Sequence, residues 1–111
     1  MTRDQARALI HAADALPAKM GRGATFRRGT PCCAFGHLAV GIGFACPLDE
    51  SLSAGVSEVE AAYGLPRGAW IVEANDDSPP RGRRRNVIRA IEDIVRSCGY
   101  DADGLRGESA S

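Results

Sequence analysis

Charged and apolar positions alternate with a helical period at both ends of the chain, and charge vanishes from a stretch between them. Ala6, Leu9, Ile10, Ala13 and Leu16 recur on one helical face behind a Thr2/Gln5 capping box, which predicts a first helix ended by Pro17. Val87, Ile88, Ile91, Ile94, Val95 and Cys98 repeat the pattern from about Arg83 to Cys98, with Gly99 as the stop. The stretch from Thr30 to Phe44 carries no charge, and Thr30 and His37 are its polar side chains. A helix apolar on every side is buried, so this stretch is expected to be the centre of the fold. It should start with Thr30 as N-cap and Pro31 in the first turn, and stop by Gly43.

The remaining elements are shorter. Gly21 to Gly29 reads as an exposed loop, and a Ser57/Glu60 capping box places a short helix over about Ser57 to Tyr63, with Gly64 as its cap. Gly68 to Ala74 is an apolar run too short for its period to decide between helix and strand, and helix is the preferred reading. Asn75-Asp76-Asp77-Ser78-Pro79-Pro80 is expected to be a turn, with the Asx side chains bonding nearby backbone. Beyond Tyr100 the chain is rich in Asp, Gly and Ser and should fray. The fold expected is all-α: a compact single domain of four to five helices over residues 1–100, with a frayed tail at 101–111.

Composition agrees with that architecture. A chain of 111 residues that is 44% hydrophobic forms one domain, and with aromatics at 5% its core volume must come from Leu, Ile, Val and Ala, which suits packed helices. A net charge of zero and a pI near 6.7 give no global attraction to nucleic acid or anionic membrane. Lys19 is the only lysine among 14 basic residues, a bias that fits a GC-rich genome. Of the four cysteines Cys32 and Cys33 are adjacent, and Arg3, Asp4, Arg7, His11 and Asp14 break up the first segment as a secretory signal. Reduced thiols in a cytoplasmic protein are expected. The longest uncharged run falls short of the ~20 apolar residues of a membrane span.

Cys33-Ala-Phe-Gly36-His-Leu38, followed later by Ile71-Val-Glu-Ala-Asn75-Asp76 and an Ile/Val-rich last helix, resembles a group of small uncharacterised actinobacterial and phage proteins with the pattern Cys-x-x-Gly-x-Leu and then Asn-Asp. The resemblance spans roughly Cys33 to Val95. It departs from that pattern at Ala74, where the group has an aromatic residue, and at the extra Ser78-Pro79-Pro80. It implies a helical fold and carries no activity with it.

Two constellations carry candidate chemistry. Cys33 and His37 are four residues apart on one helix face, and Asn75 or Asp76 could complete a catalytic set; a thiol at a helix N-terminus has a lowered pKa. A small cysteine-dependent hydrolase or deamidase would use Cys33, His37 and Asn75. Against it stands the ordinary use of Cys33 as a small buried hydrophobe and of His37 as a satisfied core or cleft residue. Zinc held by Cys32, Cys33, His37, Cys46 and Cys98 is disfavoured because the spacing matches no closed site, so neither metal nor cofactor is expected. Asn75-Asp76-Asp77 lacks the calcium-loop pattern as well.

Arg81, Arg83, Arg84 and Arg85 gather at the start of the last helix, where the macrodipole opposes cations. Solvation, or pairing with Glu73, Asp76 or Asp77 within the fold, is the preferred use of such a cluster; if the protein has a macromolecular partner, these are the candidate partner-binding residues, through bidentate bonds to carboxylate or phosphate. Ser57 to Ala74 resembles a helix-turn-helix, but Gly-Ala-Trp-Ile-Val offers almost nothing able to read base edges. A protein partner is therefore preferred to nucleic acid. The function expected is a small interaction module, such as a phage or mobile-element accessory protein that binds a host protein; the hydrolase is the alternative and arginine-mediated nucleic-acid binding a lesser one.

Overall fold

A computed structural model describes residues 1–22, 26–27, 30–43, 60–61 and 65–108. Five helices are found among them: α1 (Arg3–Asp14), α2 (Ala34–Gly41), α3 (Gly68–Asp77), α4 (Arg83–Ser97) and α5 (Ala102–Arg106). A two-residue antiparallel ribbon, β1 (Phe26–Arg27) with β2 (Thr30–Pro31), precedes α2, with Phe26 opposite Pro31 and Arg27 opposite Thr30. The domain is all-α apart from that ribbon. The helix expected over Ser57–Tyr63 and the connection through Cys46 lie outside the described residues, except for Glu60 and Ala61.

The first helix starts as its sequence dictates. Thr2 Oγ1 accepts from the Gln5 amide at 3.2 Å, and Gln5 Oε1 accepts from the Thr2 amide at 2.8 Å, satisfying donors that a helix start leaves without partners. Ala6, Leu9, Ile10 and Ala13 form its buried face. Helix α4 ends in a Schellman arrangement: Gly99, at φ 90°, donates to Arg96 O at 2.9 Å and Tyr100 donates to Val95 O at 3.2 Å.

The uncharged stretch folds differently from the expectation. Thr30 and Pro31 belong to β2, and α2 begins three residues later with Cys33 as its N-cap. Pairing with Phe26–Arg27 satisfies the backbone here, a use of Thr-Pro that the N-cap rule cannot distinguish from a helix start. Nor is α2 enclosed on all sides, since Val40 is 43% exposed. The core is shared instead. Phe35 and Leu38 of α2 meet Leu9 and Ile10 of α1, Ile71 of α3, and Val87, Ile91, Ile94 and Val95 of α4 in one buried cluster.

Two further boundaries move. Asn75, Asp76 and Asp77 form the last turn of α3, and the chain leaves helical geometry at Ser78, which is extended in front of Pro79. The segment after Tyr100 does not fray over its described part, because Ala102 and Leu105 of α5 are buried against the core. Arg106 ties α5 to α1 and α4, bonding Asp14 at 2.9 Å and Glu92 at 2.6 Å, and pairs within α5 with Asp103 at 3.1 Å. Glu108 pairs with Arg3 and with Arg7 on α1.

Candidate functional site

Asn75 reaches the start of α2 at Ala34, the residue after Cys33. Asn75 is fully buried, and its Oδ1 accepts from the Ala34 amide, the first N–H of α2, at 3.0 Å. Its Nδ2 donates to Gly21 O at 3.0 Å and to Asp76 Oδ1 at 2.9 Å. Gly21 donates in turn to Cys32 O at 2.9 Å. One amide side chain thus ties the loop after α1, the start of α2 and the end of α3 together.

Cys33 is 4% exposed, with its sulfur toward the Phe35 and Gly36 amides but without a complete capping hydrogen bond. Burial pushes its thiol above the ordinary cysteine value of 9.0; the two amides oppose that shift, and the charge of Asp76 adds to it. Desolvation outweighs the helix N-terminus, so the expected nucleophile is held as a thiol. Cys32, Cys33 and Cys98 are free cysteines.

His37 serves a different surface. It lines a groove of about 350 Å³ together with His11, Ala12, Leu16 and Val40, a wall to which neither Cys33 nor Asn75 contributes. Of the proposed catalytic set, Cys33 and Asn75 are thus occupied inside the fold, and His37 lines the groove. Among the described residues, no group of three or more His, Cys, Asp or Glu side chains is placed to hold a metal ion.

The four arginines separate into two roles. Arg83 is buried, and its guanidinium donates to Asn75 O at 2.8 Å, Met20 O at 2.5 Å and Ser78 O at 3.2 Å. Arg84 donates to Leu16 O at 2.9 Å and Asp14 O at 2.8 Å. Both cations thus sit on carbonyls at the C-terminal ends of α3 and α1, where helix dipoles favour positive charge. Of the four candidate partner-binding residues, Arg83 and Arg84 are therefore tied to the fold, the intramolecular use that the sequence also allowed, and Arg81 and Arg85 remain exposed.

The sequence reading passed over two features. Trp70, the only tryptophan, is 41% exposed near the start of α3, and the Arg67 guanidinium lies over its ring, 4.8 Å from the centroid. Arg67 is the helix N-cap and has φ 56° and ψ 38°, the one non-glycine residue with positive φ among those described. The next residue is closely packed: a Cβ on Gly68 would stand 3.1 Å from Phe35 Cε2 and 3.0 Å from Glu60 Cδ, so both side chains would have to give by a few tenths of an ångström. The second feature is the groove that His11 and His37 both line, which no local spacing reveals; that the chain has just two histidines was the available signal. No protein-family model, curated protein or solved structure matches the chain.

Proposed function

We propose that this protein is a small interaction module that docks a protein partner on the surface around Trp70 and Arg67. The observation that carries this reading is the exposed Trp70 ring stacked by an arginine in left-handed backbone. Tryptophan and arginine are the residues most enriched at binding hot spots. A non-glycine residue at positive φ costs stability, and such strain collects at functional positions. Cys33 and Asn75 are committed to the fold, which argues against the hydrolase. Exposed Arg81 and Arg85 are the part of the arginine cluster available to an acidic contact. No described helix is long and apolar enough to cross a membrane. Three free cysteines agree with a reducing, cytoplasmic setting. A role as accessory protein to a phage or mobile element, drawn from the resemblance, belongs to the same reading.

The single tryptophan makes the test direct, because all indole emission reports this site. A partner captured by crosslinking should shift and quench Trp70 emission when added back, and Trp70→Ala should lose the capture while keeping the helical circular dichroism and melting temperature. Undiminished capture by a folded Trp70→Ala variant would refute the assignment.

A further inference from the structure

Helices α3 and α4 carry opposite charges in two rows that do not pair. Glu73 and Asp77 stand one turn apart on α3, and Arg81, Arg85 and Arg89 repeat at the same interval into and along α4. All five are exposed. One turn is roughly 6 Å for a four-residue step, so each row keeps to one side of its helix. Among the described residues none of the five belongs to an ion pair, whereas Arg3, Arg7, Arg96 and Arg106 each have a carboxylate partner.

The two rows are neighbours. Helices α3 and α4 pack against each other across residues 78–82, and so short a connection makes them run in opposite directions. Arg83 bonds Asn75 O at 2.8 Å and Asn86 Nδ2 bonds Ser78 Oγ at 2.9 Å, which holds the register with Asp77 near the level of Arg85 and Glu73 near that of Arg89. Trp70 extends the acidic row by a turn, at the spacing of one helix face, and gives the surface an apolar anchor that is 41% exposed.

A partner for this face has to offer acids and bases in two adjacent rows at the same interval. A second copy of the chain does so. A two-fold axis lying in the interface, parallel to the helices and between them, sets α3 of one copy over α4 of the other, and acid then meets arginine on both sides of the axis. A polyanion such as nucleic acid would be repelled by the Glu73/Asp77 row. We propose that the α3–α4 face is a homodimer interface, with Glu73 and Asp77 of each copy paired to Arg89 and Arg85 of the other. The proposal rests on the reading of Trp70 as a docking surface and names the partner that docks there. Exposed ion pairs are individually weak, so the dimer is weak and sensitive to salt.

Sedimentation of the full chain over a range of concentrations, with thiols kept reduced, should show a monomer–dimer equilibrium that moves toward monomer as salt rises. Reversing the α4 row with Arg85→Glu and Arg89→Glu, or the α3 row with Glu73→Arg and Asp77→Arg, should weaken dimerisation at least about tenfold, since like charges then face each other. Mixing the two reversed variants should restore a dimer, because each row of one then meets its opposite on the other. Circular dichroism checks that both are folded; if one is not, the salt dependence of the native chain and the loss in the other variant decide. A native chain that stays monomeric at millimolar concentration, reversed variants that dimerise as the native chain does, or folded variants that fail to recover on mixing would overturn the homodimer. In each of those cases, capture of a different protein that Trp70→Ala abolishes would leave the Trp70 reading standing. Recovery on mixing with Trp70→Ala dimerising normally would instead overturn the Trp70 reading and keep the charge pairing.

Discussion

Arg83 and Asn75 close one polar junction from both sides of the peptide chain: Arg83 Nε donates to the main-chain oxygen of Asn75 at 2.8 Å, while the Asn75 side chain reaches Ala34 and Gly21. The junction joins four segments, and among the described residues every buried side-chain nitrogen and oxygen has a partner. A fully satisfied buried network specifies one arrangement, and a partly satisfied one is costly. The consequences can be measured.

Asn75→Ala should destabilise the domain by about 2–5 kcal/mol, because the Ala34 amide and the Gly21 carbonyl both lose their side-chain partner and each unsatisfied buried group costs roughly 1–3 kcal/mol. Urea denaturation followed by circular dichroism reads this. A change below about 0.5 kcal/mol, the range of ordinary surface substitutions, would mean that the junction is not structural.

The arginine cluster should split in the same assay. Arg83→Gln is expected to cost about 3 kcal/mol or more, since charge-assisted hydrogen bonds contribute roughly 1.5–3 kcal/mol each and three carbonyls lose them. Arg81→Gln and Arg85→Gln together should stay within about 0.5 kcal/mol of the native chain. Equal losses in all three would erase the distinction between anchored and exposed arginines.

Arg67→Gly should leave stability unchanged or raise it by up to about 1 kcal/mol. Left-handed backbone costs an L-residue roughly 1–2 kcal/mol that glycine avoids, and the lost cation–π contact is worth about 0.5–1 kcal/mol. The same variant should weaken partner capture. Clear destabilisation would show that the stacking serves folding.

Native-state alkylation should discriminate among the thiols. Cys32 and Cys98 are half-buried and should react with iodoacetamide first, whereas Cys33, buried and held above its ordinary pKa, should react only on unfolding. Mass spectrometry of partly labelled peptides gives the order. Prior labelling of Cys33 would reopen the hydrolase.

Acid should act through His37. Its folded pKa lies below 6.5, so the unfolded chain binds the proton more tightly; the stability that His37 contributes is present above 6.5 and is lost as pH falls through the folded value. Urea midpoints of the native chain should therefore decline more steeply below 6.5 than those of His37→Gln. Parallel curves would show that burial does not perturb this ring.

The sequence by itself determined whatever rests on short-range order. The Thr2/Gln5 box, the apolar faces of α1 and α4, and the Gly99 stop are contained within a few neighbouring residues, and the structure has them where the periodicity puts them. The helical state of the Trp70 segment followed as well, though its period was ambiguous. Tertiary structure decided what depends on partners far along the chain. Thr30–Pro31 became a strand because Phe26–Arg27 lies alongside it, and Asn75 stayed helical because its side chain bonds Ala34 and Gly21 rather than its own turn. Leu105 is apolar enough to hold α5 once α1 and α4 supply a surface and Arg106 finds Asp14 and Glu92. Arg83 and Arg84 oppose the dipole of their own helix, a local conflict that the sequence displays; they are placed instead by the ends of α3 and α1, which only folding brings to them. The groove is of the same kind, since His11 and His37 share a wall only after α1 and α2 pack.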